Sequence, residues 1–544
     1  MKRIYNLFIL LAAVVLVAGC SEDFLDINEN PNVASSGAPN LLLTSAQVSI
    51  AGQFNGGLGF GGSVYARQRY GLGTSTYAIT AATYQGTWQT LYSAAMKDLR
   101  EVMLVGEAEE NQNLGYAGVA KILMAYVNHQ LVDYFGDIPY DEALQGETIF
   151  APVFEDDAAV YDKILLSLDE AIANLDAAIA DNSNIQGDLM YGNDLEEWIK
   201  AANTLKIKMF LNIGNVDATR AAAGITAVLT DGRIIDEVSE DWQMTYTDIQ
   251  VPNNRHTTYT GQYDGSPGYL DNFFMLRLVE LGDPRIRYYF YRQARYGDLD
   301  FDTTPCSSRT DCDTWTALEA TGLNYIGRDH GDPSGLPGDD DLVTVPGLYP
   351  IGGKFDNASY RTVNQNSSNP RNRGAEGAGL MPLLTSSMTH FMLAEANLTL
   401  GVATPVSAAD HFDAGMQNSF DKVRAFAMAS IESDNVEASE TARGFDYAAE
   451  VGTYIAGQLV GFNNGTQNEQ LNLIMIQKNI ASWGNGMEPY TDLRRTGFPN
   501  DFPASLAPQG PFPLRVLYPN SEISANPNAP QTVIPQSEPI FWDN

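Results

Sequence analysis

The sequence predicts a mainly α protein: a helical repeat scaffold interrupted by a long, loop-rich excursion. Three patterns predict it. Between Gly115 and Phe135, apolar residues cover a helix nearly all round, which places that helix inside a helical domain. Amphipathic stretches of similar length recur after it. From Asp231 to about Ser387 that periodicity lapses, and Gly, Pro, Asp, Asn and Tyr dominate.

The chain opens with Lys2 and Arg3, then an apolar run from Leu7 to Val17. That run has signal-peptide length and is too short to span a bilayer comfortably. Val17-Ala18-Gly19-Cys20 fits the bacterial lipobox, with residues 1–19 removed and Cys20 lipidated. The alternative is a plain secretory signal cut elsewhere. Residues 20–40 form a polar, Pro- and Asn-rich tether. A helical pattern begins at Leu41 and ends at Gly52. The following Gly57-x-Gly59-x-x-Gly62 lacks the preceding strand that a dinucleotide site needs, so it reads as a flexible loop.

Trp88, Leu91, Tyr92, Ala95, Leu99 and Val102 keep helical spacing within 83–103. In the organising helix that follows, Tyr116, Val119, Leu123, Tyr126, Val127, Leu131 and Tyr134 recur at the same steps. Gly136 stops it and Pro139 keeps it stopped. Tyr140, Ala143 and Leu144 begin a short second element. Residues 157–180 are amphipathic, Asp194 caps a further helix, and 216–229 give another. Helix pairs repeating at about 35–40 residues suggest tetratricopeptide-like repeats. The expected organisation is 41–230 as the N-terminal helical part, 231–386 as the excursion, and 387–544 as C-terminal helices with a wrapping tail. All three form one unit. Within the excursion only Leu270–Leu281 reads as helix. Beyond it, helices are expected at 387–400, 408–431, 441–459 and 468–482.

The formal net charge is −35, and loss of Lys2 and Arg3 makes the mature chain more negative. Nucleic acid is excluded as a partner, because binding it requires Lys and Arg against phosphates. The five His occupy no H-E-x-x-H motif, and neither a G-x-S-x-G elbow nor a Walker A loop is present. The chain therefore does not read as an enzyme. Asp298, Asp300 and Asp302 alternate as Ca²⁺ candidates, and Asp339, Asp340 and Asp341 form a second acidic cluster. Neither has the Gly and Glu of an EF-hand loop, so a solvated loop without metal or other cofactor is the plainer reading. Cys306 and Cys312 read as a local disulfide in an exported chain, with a pair of free thiols as the alternative.

The candidate ligand residues are aromatics of the excursion. Trp315 and Tyr325 come first, because bulky aromatics in a polar loop have no core to explain them. Tyr263, Tyr269 and Tyr360 join them. The Arg494-Arg495 pair, near Glu488 and Asp492, reads as an ion-pair network fixing a C-terminal turn.

Val132-Asp133-Tyr134-Phe135-Gly136-Asp137-Ile138-Pro139-Tyr140 followed by Glu142-Ala143 resembles the signature of the SusD/RagB family. So do the lipobox with Phe24-Leu25-Asp26-Ile27-Asn28, the Asp283-Pro284-Arg285 turn, the Ala394-Glu395-Ala396 helix, and Glu488 to Pro499 with its Arg-Arg-Thr-Gly core. One departure is Gln477-Lys478-Asn479-Ile480, which lacks the Trp usual after Q-K. The resemblance implies a tetratricopeptide-like scaffold whose excursion forms the ligand site. It implies a nutrient-binding lipoprotein, anchored through Cys20 in the outer membrane and facing the exterior. Such a protein captures oligosaccharide for a SusC-like TonB-dependent transporter without altering it. The same lid role for peptides, or a surface scaffold using the repeats for protein contact alone, stays open. Ligand residues vary in this family, and none carries over by motif.

Overall fold

A computed structural model describes residues 37–543, apart from 72–76, 111, 147, 266–267, 299–305, 307–308, 334–341, 361–372 and 508–509. The expected signal peptide and Cys20 lie outside the described residues, as do Asp300, Asp302, Asp339, Asp340, Asp341 and the side chain of Asp298.

The N-terminal part comprises α1 (Pro39–Asn55), α2 (Gly57–Tyr65), α3 (Gln85–Thr90), a π-helical segment (Leu91–Ala95), α4 (Met96–Glu107) and α5 (Leu114–Phe135). It continues with α6 (Asp157–Ala180), α7 (Leu195–Asn212) and α8 (Ala218–Asp231). Helix α5 is the centre. Asn113 caps it by accepting from the Gly115 amide at 3.1 Å. Gly136, at φ 83°, ends it in a conformation that L side chains avoid. Helices α1, α4, α6 and α7 all pack on it, so its apolar surface is consumed on every side. Asp156, Asp194 and Asp217 cap α6, α7 and α8.

The excursion has more secondary structure than its composition promises. Strand β1 (Trp242–Thr245) pairs antiparallel with β4 (Leu380–Leu384), and β2 (Phe290–Tyr291) with β3 (Val345–Pro346). Between these strands lie α9 (Asn272–Leu281) and α10 (Asp313–Ala320). The C-terminal helices are α11 (Ser386–Leu400), α12 (Ala408–Ala429), α13 (Ser433–Arg443), α14 (Tyr447–Asn464), α15 (Gln467–Ala481) and α16 (Met487–Thr496). Sequence-adjacent pairs α5–α6, α7–α8, α11–α12 and α14–α15 pack together, and α8 contacts α11 to join the two halves. The architecture is the mainly α, tetratricopeptide-like scaffold.

Several expectations change. Gly52 does not end α1, which runs on to Asn55. The expected flexible loop Gly57–Gly62 is helical, because its glycines allow close packing. A Cβ on Gly62 would sit 2.3 Å from the Gly486 carbonyl oxygen. No second element follows Pro139; residues 141–144 form turns. The helix expected at 441–459 is broken at Gly444, φ 61°, into α13 and α14.

The Asp283-Pro284-Arg285 turn and the Arg494-Arg495 pair are buried ionic joints. Asp283 and Arg285 pair at 2.6 Å, and Arg285 donates to Ser419 of α12 at 2.7 Å. Arg495 pairs with Glu395 of α11 and with Asp492 at 3.0 Å, while Lys478 of α15 reaches Asp492 at 2.9 Å. The C-terminal tail returns across the whole molecule. The Val516 amide donates to the Tyr134 carbonyl at 2.7 Å. Trp542 is fully buried, and its Nε1–H donates to Asp133 Oδ1 at 3.0 Å.

Trp542→Ala removes a large buried ring and leaves Asp133 short of a donor. The expected loss is about 3–5 kcal/mol of unfolding free energy, read by urea titration. A change below about 0.5 kcal/mol would show that the tail adds nothing to the scaffold.

Candidate functional site

A cleft of about 600 Å³ opens where α2 faces a helical turn, Thr257–Tyr259, and the π-helical segment Thr260–Asp264. Glycine builds the first wall. Gly61 and Gly57 seat against the Tyr84 hydroxyl and Thr87, which a Cβ at either position would strike at 2.1 Å. With α2 held this close to its neighbours, Phe60 is the large side chain left on the open side, 41% exposed.

The floor is aromatic. The Tyr65 and Tyr84 hydroxyls lie 3.0 Å apart. Burial pushes both above the ordinary phenol range, Tyr84 to about 12, so both stay protonated. Thr257, Thr258, Gly261 and Gln262 make the second wall. Tyr259 and Tyr263 of the same segment point away from it and stack at 4.7 Å inside the excursion core. Asn55 ties the walls together. Its Nδ2 donates to Thr257 Oγ1 at 2.6 Å, and its Oδ1 accepts from Thr258 Oγ1 at 3.3 Å.

Arg69 lies at the base, half-buried, with its guanidinium 5.4 Å from the Trp483 ring centroid. Its backbone is fixed by donation to the Ser63 carbonyl at 3.1 Å and by a bridge to Leu270. Burial lowers its pKa to about 10, which leaves it a cation at neutral pH. His256, beneath the Asn55 side of the cleft, is pushed down to about 3 by burial and then by Arg69. It is therefore neutral, and its Nδ1 accepts from the Thr258 amide at 3.2 Å.

The described lining offers an apolar ring, hydroxyls, amides and one cation, and no carboxylate. Glycoside hydrolysis of the ordinary kind needs two carboxyl groups, and this lining cannot supply them. Elsewhere, Asp137, Asp156 and Asp157 bring carboxylate oxygens within 4.8 Å of one another. Asp137 accepts from the Asp157 amide at 3.0 Å and Asp157 from the Phe541 amide at 3.0 Å, so these groups tie backbone together.

The aromatics chosen from sequence sit elsewhere. Trp315 lies on α10 and is 7% exposed; Tyr325 and Tyr263 are 2% and 5% exposed. The premise that no core explains them does not hold. Trp315 and Tyr263 share a cluster with Tyr259, Tyr291 and Val345, and Tyr325 packs with Phe290 and Phe274. Tyr269 and Tyr360 are half-buried. Arg328 stacks over Tyr269 at 4.2 Å, and Arg295 over Tyr360 at 5.0 Å. Cys306 and Cys312 are joined as a disulfide, Cα–Cα 6.1 Å, beside Trp315 in the same cluster. Two of the five do frame the cleft from behind. Tyr263 anchors the segment whose other face carries Gln262, and the Tyr269 carbonyl accepts from the Tyr70 amide at 3.3 Å, next to Arg69. Phe60 and Arg69, which line the cleft, are not among the residues chosen from sequence. The available signal was one aromatic within Gly57-Leu58-Gly59-Phe60-Gly61-Gly62, where a flexible loop gives no reason for a large apolar side chain.

Residues 31–304 match a SusD-like family model described as starch-binding and associating with the outer membrane. Residues 353–535 match one described as SusD and RagB outer membrane lipoprotein. No curated protein matches the chain. Among solved structures, a chitin-binding protein is similar at 19% identity, over 93% of this chain and 100% of that one, with a TM-score of 0.69. A SusD homolog from Bacteroides vulgatus follows at 17% identity, over 93% and 97%, with a TM-score of 0.67. A chitin-binding SusD homolog from Flavobacterium johnsoniae has 17% identity, over 92% and 97%, and a TM-score of 0.65. At these identities the likeness is one of fold.

Core and cleft roles separate by stability. Trp315→Ala and Tyr325→Ala are expected to cost about 3–5 kcal/mol each, and Phe60→Ala to stay within about 0.5 kcal/mol, measured by chemical unfolding. The reverse order would return the first two to the surface.

Proposed function

Because the chain belongs to the SusD/RagB family of outer membrane lipoproteins, binding proteins rather than enzymes, we propose that it captures a glycan at the cell surface and passes it intact to a SusC-like TonB-dependent transporter. The observation that carries this reading is the cleft between α2 and Thr257–Gln262. A single exposed ring, Phe60, stands there among hydroxyl and amide groups.

A saccharide ring has an apolar C–H face and a polar rim. The face suits Phe60, where burial of apolar area drives association. The rim suits Thr257, Thr258, Thr83 and Asn55, which fix orientation through hydrogen bonds. Both walls belong to packed cores, so little ordering entropy is lost on binding. Two relatives of the same fold named as chitin-binding support a carbohydrate ligand. The expected lipid on Cys20 supplies attachment facing the exterior, and among the described residues no helix is long and apolar enough to cross a membrane.

Calorimetric titration with chitooligosaccharides and other oligosaccharides tests the reading. Saturable binding is expected, weakened about 10-fold or more in Phe60→Ala, a loss of about 1.4 kcal/mol as the apolar face of the ring is removed, with the oligosaccharide recovered uncut. Co-purification of the encoded transporter from the outer membrane tests the hand-over. Binding of short peptides in place of every saccharide would sink the glycan assignment.

A further inference from the structure

We infer that the ligand taken by the cleft is an acidic glycan, and that Arg69 receives one of its carboxylates. The inference rests on reading the cleft as the glycan site, and it names the ligand's chemical class.

The argument starts from charge pairing. This chain carries 67 acidic and 32 basic side chains, so a cation readily finds a carboxylate. Most buried cations do: Lys208 pairs with Glu488, Arg285 with Asp283, Lys422 with Asp241, Lys478 with Asp492 and Arg495 with Glu395, while buried Arg67 and Arg515 donate to backbone carbonyls instead. Arg69 does not. Among the described residues its guanidinium has neither an ion-pair nor a hydrogen-bond partner, and it stacks on the Trp483 face. Removing a charge from water without compensation is costly. Stacking on an aromatic offsets part of that cost and leaves the donor fork of the guanidinium unused. The fork matches a carboxylate in bidentate fashion.

The rest of the cleft agrees. The described lining has no Asp or Glu. A site for a neutral sugar must also accept protons from hydroxyls, a task that carboxylates perform best. This lining spends its one charge on a donor. His256 is neutral and does not add to that charge. Thus a chain with a net charge of −35 keeps acids out of this cleft and leaves a cation open in it.

Tetragalacturonate and tetramannuronate, with chitotetraose as the neutral control, provide the test by calorimetry on the purified protein. An acidic probe is expected to bind at least about 10-fold tighter than the neutral one. Arg69→Gln is expected to cost it about 10- to 100-fold, the loss of a charged hydrogen-bond pair, while the neutral affinity holds. Thr257→Asp, an exposed change on the cleft wall, guards against misfolding of the Arg69 variant. It is expected to weaken the acidic probe with an unchanged unfolding midpoint. Chitotetraose binding as tightly as both uronates, or Arg69→Gln weakening acidic and neutral probes alike, overturns the inference and leaves glycan capture standing. Failure of every saccharide to bind overturns both.

Discussion

Asp133 is the point on which the molecule closes. Its carboxylate is fully buried on α5, where three distant segments meet it. Oδ1 accepts from the Tyr161 hydroxyl of α6 and from Trp542 Nε1 of the tail, and Oδ2 lies 3.3 Å from His129 and 3.4 Å from Asn212 of α7. Its carbonyl accepts from Arg494 of α16 at 2.7 Å. Burial raises the carboxyl pKa, while Lys208 and Arg494 pull it back. An unpaired charge at this depth would be prohibitive, so the surrounding donors must all arrive for the fold to close. That requirement links α5, α6 and α7 to α16 and to Trp542 of the tail, and it explains why the Asp-Tyr-Phe-Gly-Asp stretch and the Arg-Arg-Thr-Gly stretch act as one structural device.

The same joint sets the cleft. Arg494 and Tyr490 hold α16 against α5, with Tyr490 5.2 Å from Tyr134. Helix α16 begins beside Gly486, and a Cβ there would lie 2.2 Å from the Ser63 amide nitrogen of α2. Close approach of two glycine-bearing backbones thus fixes the height of α2, and with it the position of Phe60. Glycine weakens a helix by about 1 kcal/mol relative to Ala, and α2 has four of them between Gly57 and Gly62. Packing offsets that intrinsic cost, so this wall of the site exists only in the finished fold.

This explains what the sequence made legible. Helices whose stability comes from their own pattern were readable almost to the residue: α6 starts after its Asp156 cap and α7 after Asp194. The ionic joint at Arg495 was readable only in its local half: Asp492 is three residues away, whereas Glu395 comes from α11 and Glu488 pairs with Lys208 instead. Helix α2 was not, since its propensity opposes its structure. Trp315, Tyr325 and Tyr263 were misplaced for a related reason. The core of Trp315 and Tyr263 assembles from 259–263, 291–294, 306–315 and 343–351, that of Tyr325 from 270–290, 348–355 and the C-terminal helices, and no local window shows apolar residues so far apart as neighbours. Composition described the excursion as polar, whereas its apolar residues converge.

The cleft lies on the seam between these two kinds of core. Tyr65, Ile79 and Tyr84 belong to the scaffold cluster, and Tyr259 and Tyr263 to the excursion cluster. Each wall is held from behind by its own packing, and Asn55 bridges the two. A ligand entering the seam meets groups already oriented, so binding free energy is not spent on ordering side chains. The seam is also where a cation can stay unpaired. Arg69 is fixed through its backbone and its stacking on Trp483, not through a carboxylate, so rigidity does not cost it its charge. Screening limits the field of the acidic surface to about 8 Å at physiological salt. An anion inside the cleft therefore answers to Arg69 before it answers to the protein's net charge. Placing the cleft between two cores leaves a strongly acidic protein with one cationic side chain open to it.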